Sequence, residues 1–304
     1  MKLKRAVIGV VTIILIVAVL LLPALFKDRS RAPLVGPDLS SLKYEEIQFD
    51  NGDLRLAGML FSPEGEGPFP VVVIIHGSGP SSRTNKWSLS VTRHLQEKGI
   101  AVLLPDKRGS EKSEGNWVGA SFEDLAGDTL AAVEYVRNQE LFTHSGIGLV
   151  GMSQGGWIIP IVAAKDKDIA FVVSMSGASV TADEQLLHEE IHNISYYTWP
   201  FVARLLAPTT TKRLMKMDHL KPFAGFDPVP YWKKVDTPVF FAFGGSDENV
   251  PVNASIKTLK ENLNVDLIKV YPDGGHAIRD RETNQVRNDF LDDLVEFIKQ
   301  SLKN

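Results

Sequence analysis

IGLVGMSQGG, residues 147–156, is an apolar run of strand character that breaks into glycines around Ser153 and continues as the apolar helical run WIIPIVAA. In that strand, turn and helix context the G-x-S-x-G spacing of Gly151, Ser153 and Gly155 has a mechanical meaning. The tight turn forces the central residue into strained backbone geometry, and only glycines on either side keep its neighbours from colliding. Ser153 is expected to project from the end of a sheet. A hydroxyl is a poor nucleophile until a base takes its proton, and that base must be oriented by a carboxylate. Candidates for both lie downstream, in the order serine, acid, histidine. Asp247 stands in GGSDENVP directly after the apolar run PVFFAFGG, and His276 stands in YPDGGHA after the last strand-like run, where Gly274 and Gly275 leave the backbone free to turn the imidazole inward. Glu248 and Asp273 are rival acids.

Outward from this stretch the chain alternates. PVVVIIHG (70–77), IAVLLPD (100–106), IAFVVSMSG (169–177), PVFFAFGG (238–245) and VDLIKVY (265–271) are compact apolar runs that read, with 147–153, as strands buried on both faces. Helical stretches separate them: 85–98, a segment opened by Ser121 with Asp124 completing a capping box, 254–263 and 286–302. Strands alternating with helices predict an α/β domain with a mostly parallel central sheet covered by helices on both faces. Runs at 44–49 and 54–61 around AspAsnGlyAsp predict a hairpin, hence antiparallel strands at the leading edge. Residues 178–235 break the rhythm with helical patterns, prolines and the aromatics Tyr196, Tyr197, Trp199 and Phe201, so an inserted helical cap is expected there. Those aromatics would line an apolar acyl pocket or form the cap's own core.

With 304 residues, 44% hydrophobic and 23% charged, the chain can bury a large core, and disorder is not the default. The absence of cysteine excludes disulfides, thiolate metal sites and cysteine nucleophiles. A basic N-terminus (1–5) precedes residues 6–26, AVIGVVTIILIVAVLLLPALF, which carry no charge and are long enough to cross the hydrocarbon layer of about 30 Å as a helix. A cleaved signal would show a shorter apolar region of about 7–15 residues and a small-x-small site, so an uncleaved transmembrane signal anchor is expected. The polar, proline-containing stretch 27–43 reads as a linker to a domain at 44–304. Lys2, Lys4 and Arg5 before the span are balanced by Lys27, Arg29 and Arg31 after it. The terminal amine tips the balance toward an N-in orientation, with the catalytic domain extracytoplasmic. Setting aside the three leading cations takes the net charge from −4 to −7, which argues against a nucleic-acid or anionic-lipid surface and leaves the anchor itself as the expected membrane contact.

These motifs resemble the α/β-hydrolase superfamily, and within it the serine esterases related to dienelactone hydrolases, prolyl-oligopeptidase catalytic domains and serine aminopeptidases. The likeness runs from residue 44 to the C-terminus. HGSGP (76–80) resembles the oxyanion loop, GMSQGG the nucleophile elbow, SDENVP the acid turn and GGHA the histidine turn. DKRGSEKSEG (106–115) resembles the D-x-R-G-x-G-x-S-x-G loop, with Glu111 where glycine is usual. The resemblance implies two-step acyl transfer: Ser153 attacks a carbonyl, His276 takes and returns the proton, and Asp247 holds the imidazole. It selects Asp247 over Glu248 and Asp273. The oxyanion donors it implies are the backbone N–H groups of Gln154 and Ser78, with Gly77 second, and His76 becomes a structural member of its loop. The expected activity is carboxylic ester hydrolysis, with no cofactor and no metal, on a small-molecule ester or a short peptide. The alternatives are an aminopeptidase, with Glu184, Glu189 or Glu190 binding a substrate ammonium, and a non-catalytic, membrane-tethered binding module.

One motif points elsewhere. HEEIH at 188–192 matches the H-E-x-x-H pattern of zinc peptidases, which turns His188 and His192 to one helix face with Glu189 beside the first. A third ligand is needed, and the metzincin continuation finds Ser195 and Thr198 at its glycine and histidine places, so polar residues on a cap helix is the expected reading. His94, His144 and His219 have no motif around them and are assigned to the surface or to local hydrogen bonds. NIS at Asn193 and NAS at Asn253 fit the glycosylation pattern, which matters only in a eukaryotic secretory pathway.

Overall fold

The computed structural model describes residues 2–27, 32–142, 146–265 and 267–303; Arg29, Arg31, His144 and Asp266 lie outside the described residues. Eight strands form one sheet: β1 (Glu45–Asn51), β2 (Leu54–Phe61), β3 (Val71–Ile75), β4 (Ala101–Pro105), β5 (Ile147–Met152), β6 (Ile169–Met175), β7 (Val239–Gly244) and β8 (Leu267–Tyr271). Their spatial order is β1-β2-β4-β3-β5-β6-β7-β8. β1 and β2 form the antiparallel hairpin, β2 runs antiparallel to β4, and every later neighbour pair is parallel.

The period of two explains why the central strands are apolar throughout. In β3, Val71, Val73 and Ile75 face one core cluster while Val72 and Ile74 face the other. The first cluster lies under α4 (Phe122–Arg137), α5 (Gly155–Lys165) and α9 (Val252–Asn262). The second lies under α3 (Lys86–Glu97) and α10 (Asn288–Ser301). Helix ends follow their sequence signals. Ser121 and Asp124 form the capping box of α4, and the Asn85 side chain accepts from the N–H groups of Trp87 and Ser88 at the start of α3.

One strand departs from expectation. β8 is not buried on both faces, because it closes the parallel edge of the sheet, where Lys269 and Val270 are exposed. Lys269 instead pairs with Asp293 of α10 at 2.6 Å. An apolar run does not reveal that no ninth strand will cover it.

Between β6 and β7 the described chain is helical: α6 (Ala182–Ser195), α7 (Pro200–Leu214) and the short α8 (Val229–Trp232). The N-terminus forms α1 (Lys2–Leu21) and α2 (Pro23–Phe26). Within it Lys4–Phe26 is long and apolar enough to cross a membrane, with mean hydropathy 3.1 and only Pro23 buried. The loops after β3, β4, β5, β7 and β8 all leave the C-terminal ends of their strands, so residues distant in sequence gather along one sheet edge.

Candidate active site

At the end of β5 the chain turns through Ser153 with φ of 52°, a left-handed conformation that costs a non-glycine residue of the order of 1 kcal/mol or more. The surroundings enforce it. A Cβ at Gly151 would lie 2.5 Å from the Gly155 carbonyl oxygen, and one at Gly155 would collide with the carbonyl of Ile75 in β3. The Ser153 N–H donates to the Met175 carbonyl at 2.8 Å, fastening the turn to β6, and Gln154 begins α5.

Asp247 is buried in the turn after β7. Its Oδ1 accepts from the N–H groups of Asn249 at 2.8 Å and Val250 at 3.1 Å, leaving Oδ2 to meet His276 Nδ1 at 2.8 Å. A carboxylate partner assigns the proton to Nδ1, so Nε2 is the ring's basic nitrogen. The rival acids are engaged elsewhere: Glu248 accepts from the Tyr196 hydroxyl at 2.7 Å, and Asp273 pairs with Arg281 at 2.9 Å on the surface. His276 and Ser153 line one cavity of about 230 Å³ together with Ser78 and Gln154, and a Cβ on Gly77 would lie 3.2 Å from that of Ser153. All six residues singled out by motif therefore meet at one place.

Further groups surround the site, of which only His76 and Glu111 had a signal in the sequence. Lys107, from the loop after β4, reaches back under the HGSGP turn and donates to the carbonyls of Gly77 and Gly79. In a trans peptide the C=O and the next N–H point oppositely, so holding the Gly77 carbonyl on the outer side turns the Ser78 N–H away from Lys107. Burial pulls the Lys107 ammonium down to about 8. His76 is buried with Nε2 2.8 Å from the Pro105 carbonyl; desolvation, then the Lys107 charge, lower it to about 4 against that hydrogen bond, so it is neutral at neutral pH. Trp87 of α3 meets the His276 ring edge-on at 5.6 Å between centroids. Ser176, at φ of 50° after β6, lines the cavity with a buried hydroxyl that has no partner among the described residues. Glu111 adopts φ of 52°, the region that glycine enters freely, and its carboxylate accepts from the Arg83 N–H at 3.0 Å.

The segment between β6 and β7 supplies most of the cavity's other wall, but not through the expected aromatics. Tyr197, Trp199 and Phe201 are neither in the cavity nor in the segment's core; they are exposed. The apolar wall comes from Leu186, Met215, Leu220 and Phe223 of that segment, with Trp157 of α5. Of HEEIH, Glu189 faces the cavity, where its carboxylate accepts from Gln185 at 3.0 Å and Asn249 at 3.1 Å. His188 and His192 lie on one face with ring centroids 4.6 Å apart and planes tilted by 49°. Desolvation first and the neighbouring His192 second hold His188 below the usual imidazole range, against the pull of Asp247. Among the described residues no group of three or more His, Asp or Glu side chains is arranged to hold a metal ion.

A serine on a strained strand-to-helix turn, beside a histidine paired with a buried carboxylate and on this sheet order, defines a serine hydrolase of the α/β-hydrolase fold. The chain belongs to the prolyl oligopeptidase family, Peptidase_S9, whose sequence pattern it matches over residues 85–304. It is 25% identical over 272 residues to the esterase EstD of Thermotoga maritima, covering 81% of this chain and 62% of that one. It is likewise 25% identical over 254 residues to the acylamino-acid-releasing enzyme of Rattus norvegicus, covering 81% of this chain but 33% of the rat enzyme. The chain thus spans less than two thirds of these relatives. Among solved structures, the Pyrococcus furiosus esterase superposes with a TM-score of 0.65 at 19% identity, covering 90% of this chain and all of that one. Est1E of Butyrivibrio proteoclasticus gives 0.61 at 21%, covering 85% of this chain and 100% of its own. These likenesses show the fold.

Proposed function

We propose that the protein hydrolyses carboxylic esters of small to medium acyl groups by two-step acyl transfer. Ser153 is the nucleophile, His276 the general base and then acid, and Asp247 the residue that orients the imidazole. The observation that carries this reading is the 2.8 Å contact of His276 Nδ1 with buried Asp247, with His276 and Ser153 facing one cavity. The N–H groups of Gln154 and Ser78, with that of Gly77 as a reserve, stabilise the oxyanion, each such donor contributing roughly 100-fold or more in rate. The test is a fluorophosphonate probe on the full chain, with the adduct located by peptide mass spectrometry. An adduct on Ser153 that is lost in Ser153→Ala supports the mechanism; a folded chain that does not label belongs to the non-catalytic binding class.

A second reading has its own observation. Glu189 brings a carboxylate into the cavity, whereas Glu184 is taken up by the capping box of α6 and Glu190 by Asn193. A carboxylate there suits a substrate ammonium, as in an aminopeptidase. Turnover of p-nitrophenyl esters against aminoacyl anilides separates the two, and a strong preference for the anilides sinks the esterase reading. The span Lys4–Phe26 serves in this reading as an N-terminal membrane anchor with the hydrolase domain on the extracytoplasmic side. Residues 1–5 and 27–43 flank it, and 178–235 form a cap on the hydrolase domain.

A further inference from the structure

The apolar helix and the cap meet at a defined place. Pro23 has no N–H to offer the Val19 carbonyl, which accepts from the Leu22 N–H at 3.3 Å and from the Trp199 indole at 2.9 Å, while the Thr198 hydroxyl donates to the Leu20 carbonyl at 2.7 Å. Lys27 donates to the Ser195 carbonyl at 2.7 Å and lies 5.9 Å from the centre of the Tyr196 ring. The end of the span is therefore fastened to the α6–α7 corner. Beside this contact the cap leaves an apolar face uncovered: Tyr197, Trp199, Phe201, Leu205 and Leu206 are exposed, Phe201 by 66% and Leu205 by 76%. Phe201 and Leu205 are one turn apart on the same side of α7. Exposed Lys212 and Arg213 follow in its last turn, and Arg204 lies between the apolar residues.

The depth of the contact says what covers this face. Val19 precedes Phe26 by roughly 10 Å of helix at about 1.5 Å per residue. A bilayer that takes up the helix as far as Phe26 therefore reaches past the Trp199 contact, to a depth where an apolar helix face beds about 5–10 Å into the headgroup and acyl boundary. Tryptophan and tyrosine favour that boundary, and although the net negative charge of the chain argues against an anionic-lipid surface as a whole, Arg204, Lys212 and Arg213 place exposed cations locally beside this face.

We propose that the exposed face of α7 rests in the lipid interface of the bilayer that holds the N-terminal helix. This rests on the anchor reading given above. A second cavity beside His276 adjoins the same corner, but it is lined by Glu248, Asp273, Arg279 and Arg281 as well as Leu34 and Tyr196, so it is a polar cleft and not an apolar path.

The chain has no cysteine, so single reporters can be introduced cleanly. Phe201→Cys and Leu205→Cys, with Glu64→Cys between β2 and β3 at the opposite end of the sheet as reference, are labelled with a polarity-sensitive fluorophore. The full chain is then reconstituted in phosphatidylcholine vesicles containing a minor fraction of phosphatidylglycerol, and hydrolysis of a short soluble ester verifies folding. The expected result is blue-shifted emission at 201 and 205, quenched by spin-labelled lipid, with water-like emission at 64. Water-like, unquenched emission at 201 and 205 in chains that float with the vesicles overturns the proposal while leaving the anchor intact; chains that do not float overturn the anchor, and the proposal with it. Blue-shifted emission that lipid labels do not quench marks a protein partner or a second copy instead, and also overturns it.

Discussion

Asp247 holds two backbone N–H groups with one oxygen and His276 with the other, so its replacement by asparagine keeps the size but loses the charge and the tautomer control. Asp247→Asn is expected to lower kcat by roughly 10³–10⁴-fold with normal circular dichroism, measured on a soluble p-nitrophenyl ester. Lys107 acts one shell out, through the Gly77 and Gly79 carbonyls. Lys107→Met frees the peptide plane that aims the Ser78 N–H and should lower kcat about 10- to 100-fold with KM little changed. The same ammonium predicts a pH effect. As pH rises through about 8 the group loses the charge that strengthens both of its hydrogen bonds, so activity is expected to fall on that limb, and a pH–rate profile should show the limb in the wild type and not in Lys107→Met. Stability moves oppositely. Between about 8 and the ordinary 10.5 the unfolded chain carries a proton the folded chain lacks, so this group's contribution to stability rises with pH and is lost as pH falls back through 8. The turns that carry Ser153, Asp247 and His276 to one edge of the sheet were legible because each follows an apolar run and has a local turn motif. Lys107, Trp87 and Ser176 were not, because only packing between separate elements brings them to the site.

At the scale of elements, α3 carries Trp87 to the face of His276, and its first turn depends on Asn85. Asn85→Ala leaves the Trp87 and Ser88 N–H groups without that acceptor and should cost about 1 kcal/mol in urea denaturation. The elbow is less forgiving. A methyl at Gly155 meets the Ile75 backbone in the neighbouring strand, which cannot retreat without breaking the ladder to β5. Gly155→Ala should therefore destabilise strongly or abolish soluble expression, read by thermal melting against wild type. Strand and helix existence followed from period two and capping signals, and Ser121 with Asp124 shows how local that information is. The exposure of β8 could not be read the same way, because an edge is defined by a missing neighbour and not by the strand's own residues.

Across the whole molecule, Arg83 ties three segments. From the loop after β3 its guanidinium grips Asp106 after β4, at 3.0 Å from Nε and 2.6 Å from Nη2, and reaches Glu46 on β1 at 3.1 Å. Arg83 and Asp106 are both buried, so Asp106→Ala strands a cation inside the protein. A loss of roughly 3–5 kcal/mol is expected in chemical denaturation, while replacing both partners with apolar residues of similar volume should cost far less. The sequence by itself determined the α/β alternation, the hairpin edge, the apolar N-terminal helix and the serine turn, because each is written in short-range period, composition or glycine spacing. The tertiary structure alone decided which HEEIH side chain turns to the cavity, that Lys107 reaches the HGSGP turn, and that Tyr197, Trp199 and Phe201 face outward beside the N-terminal helix. Those outcomes depend on how elements far apart in the chain pack, and no window of sequence records its eventual neighbours.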